Sequence, residues 1–429
     1  MKSFPWLSAC VVAGSLAGGS VWGQPAAYPG GPQDARASPP GLPSASVTLR
    51  AALDAAWQRS VVARESDGQR RRAEADRIAA TSLWAAPPSL EVSHRNDRLQ
   101  NNTGQREIEI GVAVPLWLPG QRAARYSTAD AAAARTGAAE QVARLQLAGE
   151  LRAAAWQWAA VQAEVAQADG QSQALIQLAD DVERRVRAGD LARADALAAR
   201  AEQLAASALQ SDVRQRLQAA RARWTLLTGL TASPDVTAAA SVEAVPATTS
   251  DTAASHPEQR LASITTELAR KRVDEMRLSR RDAPELTVGY RRDVPGRAEA
   301  AQGSMVVGLR LPFGTDDRNR PLEAAALAEL DVAQATEQRL RERLDSDQAA
   351  ARDAQRSAQA QLDAEASRAR LLRERATLIE KSFRAGETQL PDLLRALADA
   401  AQADGAAARQ NAALGLARAH LQQTLGLLP

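Results

Sequence analysis

The chain of 429 residues has one cysteine, three methionines, three tyrosines, three phenylalanines and almost no net charge. Each shortage excludes something. A single thiol, Cys10, permits no internal disulfide framework and no Cys-based zinc or iron-sulfur site. With 53 Lys plus Arg against 51 Asp plus Glu, the balance of +2 offers no basic footprint for nucleic acid. Aromatic residues make up only 3% of the chain, and much of its 45% apolar content is Ala. Ala buries little area but is the best helix former, so long, closely packed helices are favoured over a compact enzyme core. Beyond the amino-terminal run no stretch reaches about 18 apolar residues, so any passage through a membrane must be made by strands.

The amino terminus reads as an export signal. Lys2 supplies the positive start, residues 7–21 a run of apolar and small residues, and Val21-Trp22-Gly23 a peptidase site with cleavage expected after Gly23. Leu7-Ser8-Ala9-Cys10 has the order of a lipidation motif, but almost no apolar stretch precedes it. Gly14, Gly18 and Gly19 weaken an uncleaved anchor. Residues 24–46 are rich in Pro, Gly, Ala and Ser and read as an extended leader.

A helical pattern then runs from 48 to about 85, capped by Thr48, with Leu49, Ala52, Leu53, Ala56 and Trp57 on one face. After Pro87-Pro88 the period changes to two. Leu90 and Val92, then Ile108, Ile110, Val112, Val114 and Leu116, alternate with polar or small residues, predicting strands at about 89–98 and 105–116. From Pro119-Gly120 a helical pattern continues to about 187. Gly189-Asp190 interrupts it, and a return helix ends at Gly229. Residues 231–255 form a linker rich in Pro, Ala, Ser and Thr.

The second half repeats this programme. A helix from His256-Pro257-Glu258 leads to strands at about 285–293 and 303–313. A connector at 316–320 precedes a long helix from about 322 to 383, then Gly386 and a return helix to Gly426. The pairs Pro115/Pro312, Gly189/Gly386, Asp195/Asp392 and Gly229/Gly426 share one offset of 197 residues, whereas Pro88/Pro284 and Asp97/Asp293 are offset by 196. Residues 47–230 and 256–429 are thus two copies of one element. Four strands cannot close a barrel, but three chains would supply twelve. The competing reading is a pair of hairpins packed on a soluble helical domain.

Arg187-Ala188-Gly189-Asp190 with Asp195 and Leu197, and Arg384-Ala385-Gly386-Glu387 with Asp392 and Leu393-Leu394, resemble the helix-tip motifs of the outer-membrane efflux proteins, the TolC-like channels. Val114-Pro115-Leu116-Trp117-Leu118-Pro119-Gly120 and Leu309-Arg310-Leu311-Pro312-Phe313 resemble that family's strand-to-helix junctions. The resemblance covers about 46–428 and is nearest to the outer-membrane members of heavy-metal and cation systems of the RND type. It implies a mainly α fold with a small β portion: a homotrimeric α/β-barrel with four strands per chain and the helical portion in the periplasm. It further implies a passive duct that docks on a periplasmic adaptor and an inner-membrane pump. A periplasmic coiled-coil or adaptor protein without a pore is the alternative.

On this resemblance Arg187, Gly189, Asp190, Arg384, Gly386 and Glu387 are candidates for adaptor contact, and Asp392 for a ring of carboxylates at the periplasmic entrance. Arg395 stands where a second acidic residue is expected, which leaves open an Asp392–Arg395 pair at i, i+3 spacing. His94, His256 and His420 have no metal-site spacing, and no nucleophile motif or phosphate loop is present. No cofactor, metal or catalytic residue is expected.

Overall fold

The computed structural model describes residues 46–99, 101–236, 256–314 and 316–429. The expected signal, nearly all of the leader and most of the 231–255 linker lie outside the described residues. Helices dominate: α1 (Leu49–Arg59), α2 (Val61–Ala80), α3 (Gln121–Ala188), α4 (Arg193–Thr228), α5 (Pro257–Leu278), α6 (Asp316–Arg384) and α7 (Leu390–Thr424). Four strands lie between them: β1 (Ser89–Asn96), β2 (Arg106–Pro115), β3 (Glu285–Val294) and β4 (Gln302–Arg310). At 68 and 69 residues, α3 and α6 each extend on the order of 100 Å.

Three boundaries differ from the sequence expectation. The first helix is two helices, because Ser60 adopts an extended backbone and its hydroxyl caps α2 by accepting from the Ala63 N–H at 3.1 Å. β4 stops at Arg310, leaving Leu311 and Phe313 exposed outside the ladder. The expected connector at 316–320 is the start of α6, which runs through Pro321 near its amino end. A proline there lacks one helical N–H but can still lie close to a helix start.

The strands form one antiparallel sheet in the order β1-β2-β3-β4, so the two hairpins join through β2 and β3. Register sorts the side chains by chemistry. Leu90, Val112, Val288 and Val307 form one cross-strand row, and Val92, Ile110, Tyr290 and Met305 the next, all exposed on the same face. The other face carries Glu91, Arg95, Glu107, Glu109, Arg291, Asp293, Glu285 and Arg310. On it Arg291 bridges Glu107 at 2.9 Å and Glu109 at 2.8 Å. Gly111 faces Gly289 at the centre, where a Cβ on Gly289 would come within 3.0 Å of the opposing backbone. β1 and β4 each have one edge unpaired within the chain.

Below the sheet the helices continue its order. α2 packs on α3, α3 on α5 and α5 on α6; nearer the tips, α4 packs on α3, α3 on α7 and α7 on α6. The waist holds the largest side chains. Trp158 and Trp224 meet edge to face at 6.3 Å among Leu49, Leu53, Leu151 and Leu217. Val47 forms a parallel bridge with Pro234, tying the start of the described chain to this cluster. On the neighbouring face Arg152, 2% exposed, donates to Gln423 Oε1 at 2.8 Å, Gln422 Oε1 at 3.2 Å and the Leu427 carbonyl at 3.0 Å, pinning the end of α7 to α3. Farther along the same contact the Trp156 ring lies over Gly415, where a Cβ would approach to 2.1 Å.

Candidate functional site

Both helical hairpins end in the same turn. At the first, the Gly189 N–H donates to the Val186 carbonyl at 3.1 Å and the Asp190 N–H to that of Arg185 at 2.9 Å. At the second, Gly386 donates to Phe383 at 3.1 Å and Glu387 to Ser382 at 3.0 Å. Gly189 and Gly386 hold φ of +89° and +80°, and a Cβ at either would meet nothing within 4 Å. The glycines are therefore required by the left-handed backbone that closes the helix end, and not by close packing.

The two tips form one structure. Phe383, Leu390 and Leu393 of the second hairpin are buried with Val182, Ala179 and Ala199 of the first, and Arg185 lies over the Phe383 ring at 5.1 Å. This packing sets the candidate contact residues side by side. Arg187, Asp190, Arg384 and Glu387 are all exposed around the shared apolar centre. Arg384 pairs with Glu380 one turn back on α6, whereas Arg187, Asp190 and Glu387 make no ion pair among the described residues.

Asp392 and its repeat counterpart Asp195 differ. Asp195 Oδ2 accepts from the Ala192 N–H at 3.1 Å, so that carboxylate is used to cap α4. Asp392, in the first turn of α7, is exposed and makes no such bond. Arg395 is exposed one turn on, but the two make no ion pair. The structure thus leaves Asp392 free to face solvent or another copy, favoured only by the helix amino terminus.

The histidines are dispersed. His94 lies exposed in β1 beside Asn96, His420 is exposed on α7, and His256 is buried as the cap of α5, its Nδ1 accepting from the Glu258 N–H at 3.2 Å. Burial pushes the His256 imidazole below its ordinary value, assisted by Arg343 and opposed by Glu258. Among the described residues no group of three or more His, Cys, Asp or Glu is placed to hold a metal ion. No described helix is long and apolar enough to cross a membrane.

The sequence reading missed two features. Arg291, bridging two glutamates on the neighbouring hairpin, was hidden because the pairing of β2 with β3 joins residues 182 positions apart. Arg152 gave no signal, since one arginine in a helix with many looks like a solvated one.

No family model matches the sequence, and no curated protein matches it. Solved structures do match in three dimensions. The outer-membrane protein VceC from Vibrio cholerae superposes with a TM-score of 0.69 at 16% identity, over 88% of this chain and 96% of that one. The chain has the TolC-like fold. CusC, whose structures concern transmembrane channel formation, gives a TM-score of 0.71 at 14% identity, covering 88% and 92% of the two chains. The outer-membrane channel OprN gives 0.69 at 19%, covering 88% and 89%. The TolC-like architecture is mainly α with four strands per chain, as the duplicated pattern implied. At such identities the likeness is one of fold.

Proposed function

We propose that this chain is the outer-membrane channel of a tripartite efflux system: a passive duct whose sheet lies in the membrane and whose helices reach through the periplasm. The observation that carries the reading is the sheet, with an exposed apolar face, a charged opposite face and two unpaired edges. A sheet edge in lipid leaves backbone groups without partners, and a closed ring of strands removes both edges. Three copies joining β4 to the next β1 make twelve strands, with apolar residues toward lipid and charged residues toward a wet lumen. A pair of hairpins on a soluble domain would expose that apolar face to water.

The tips are the docking end. Arg187, Gly189, Asp190, Arg384, Gly386 and Glu387, with their copies in the trimer, surround the mouth and meet a periplasmic adaptor carrying an inner-membrane pump of the RND type. Asp392 lines the entrance as a threefold carboxylate ring, with Arg395 modulating its charge. Cations, heavy-metal cations among them, are the cargo we assign. Support comes from five carboxylates against three guanidiniums on the charged face of the sheet and from the uncommitted Asp392.

Single-channel conductance of the detergent-extracted protein in planar bilayers tests the reading. We expect discrete cation-preferring conductance, with Asp392→Asn lowering the preference. Absence of any channel overturns the function, and an unchanged preference removes Asp392 from the entrance. Tolerance of a host complemented with the whole assembly, measured against metal salts and neutral drugs, decides the cargo.

A further inference from the structure

The helices at the two flanks of the periplasmic body carry apolar stripes with no cover in the chain. On α4, Ala194, Leu197, Ala201, Leu204 and Ala208 recur at alternating spacings of three and four, and all are exposed, Leu197 at 64% and Leu204 at 59%. On α6, Ala364, Ser367, Leu371, Glu374 and Leu378 follow the same spacing, with Leu371 at 68% and Leu378 at 59%. This is the seam of a coiled coil, each lacking its partner helix. Because α4 packs on α3, α3 on α7 and α7 on α6, the two seams lie at opposite flanks of one protomer.

Their positions correspond. Measured from the tip ends at Arg193 and Arg384, Leu197 and Leu378 lie about 6 and 9 Å up their helices, and Leu204 and Leu371 about 17 and 20 Å. The helices run in opposite directions, so an antiparallel pair sets leucine against leucine at both levels. Charge agrees as well. Arg200 on α4 and Glu374 on α6, between the two leucine levels, make no ion pair among the described residues.

We infer that the occupant of each seam is a second copy of this chain: α6 of one protomer zips against α4 of the next through Leu378 on Leu197 and Leu371 on Leu204. The inference rests on the trimeric channel reading. It continues the same flank downward, since β4 leads into α6 and would itself join the next copy's β1. The junction between copies near the mouth is then an apolar zipper with one crossing charge pair, and opening the mouth must part it.

Cysteine pairs in the full-length protein, oxidised in native membranes, test this. Leu197→Cys with Leu378→Cys, and Leu204→Cys with Leu371→Cys, are expected to convert the monomer band to covalent dimer and trimer on non-reducing gels. The mismatched pair Leu197→Cys with Leu371→Cys, and each single variant, retain Cys10 and are expected to stay monomeric. A native trimer in which neither matched pair cross-links overturns the seam while leaving the channel reading intact; so does equal cross-linking by the mismatched pair or a single variant. Absence of any trimer overturns both. Where a double variant fails to assemble, Leu204→Asp alone is the second measure. It is expected to raise basal conductance, and unchanged conductance overturns a zipper that holds the mouth.

Discussion

His256 shows how a single buried side chain ties the second repeat together. Its ring caps α5, lies against Gly426 at the end of α7 and sits beside the Glu258–Arg343 ion pair at 2.6 Å. A charged imidazole would give up its role as acceptor and lose hydration, which is why its folded-state value is lowered. The unfolded chain therefore binds this proton more readily. The stabilising contribution is complete above about pH 6.5 and is lost as the pH falls through the lower folded value. The thermal midpoint of the wild type should drop more between pH 7.5 and pH 5 than that of His256→Asn, which keeps a capping side chain but does not titrate. Gly415 makes the complementary case for space. A methyl group there meets the rigid Trp156 ring, so Gly415→Ala should cost about 1–3 kcal/mol, read as a lower denaturant midpoint.

At the scale of elements, the strands have two faces that single substitutions can tell apart. Val306 and Val307 are neighbours in β4, yet Val307 shares a row with Val288 on the apolar face and Val306 faces Gly289 on the charged side. In lipid, Val307→Arg should cost roughly 2–4 kcal/mol near the bilayer midplane, whereas Val306→Ser should leave assembly nearly unchanged. Urea unfolding from liposomes, followed by tryptophan fluorescence, measures the difference. The strand faces were legible because a period of two is a local signal, as were the helix reversals, because Gly189 and Gly386 supply a backbone few other residues adopt. The break at Ser60 was not. The apolar face of α1 continues past it, and only the capping geometry reveals that one helix has become two.

Considered as a whole molecule, the chain was legible through its duplication and illegible where parts far apart in sequence meet. The offset of 197 residues predicted matching arms, and the paired glycines adopt matching conformations: φ is +89° and +80° at the tips, and +77° and +75° at Gly229 and Gly426. The joining of the two tips through Phe383, and the fixing of α7 on α3 by Arg152, required the assembled helices to be seen. The candidate site divides in the same way. The exposed tip residues followed from the turns, but the difference between Asp195, committed to a cap, and Asp392, uncommitted, lies in one hydrogen bond that composition does not encode.

The descending arms α3 and α6 have 68 and 69 residues, and the ascending arms α4 and α7 have 36 and 35. Such a body behaves as a ruler. Deleting one heptad from a single arm would rotate nothing but would shorten one leg by about 10 Å, lifting its tip off the plane shared with the other. A change of reach must therefore be made in all four arms together, in whole heptads, so the distance this protein can span is a property that no single short insertion or deletion can adjust.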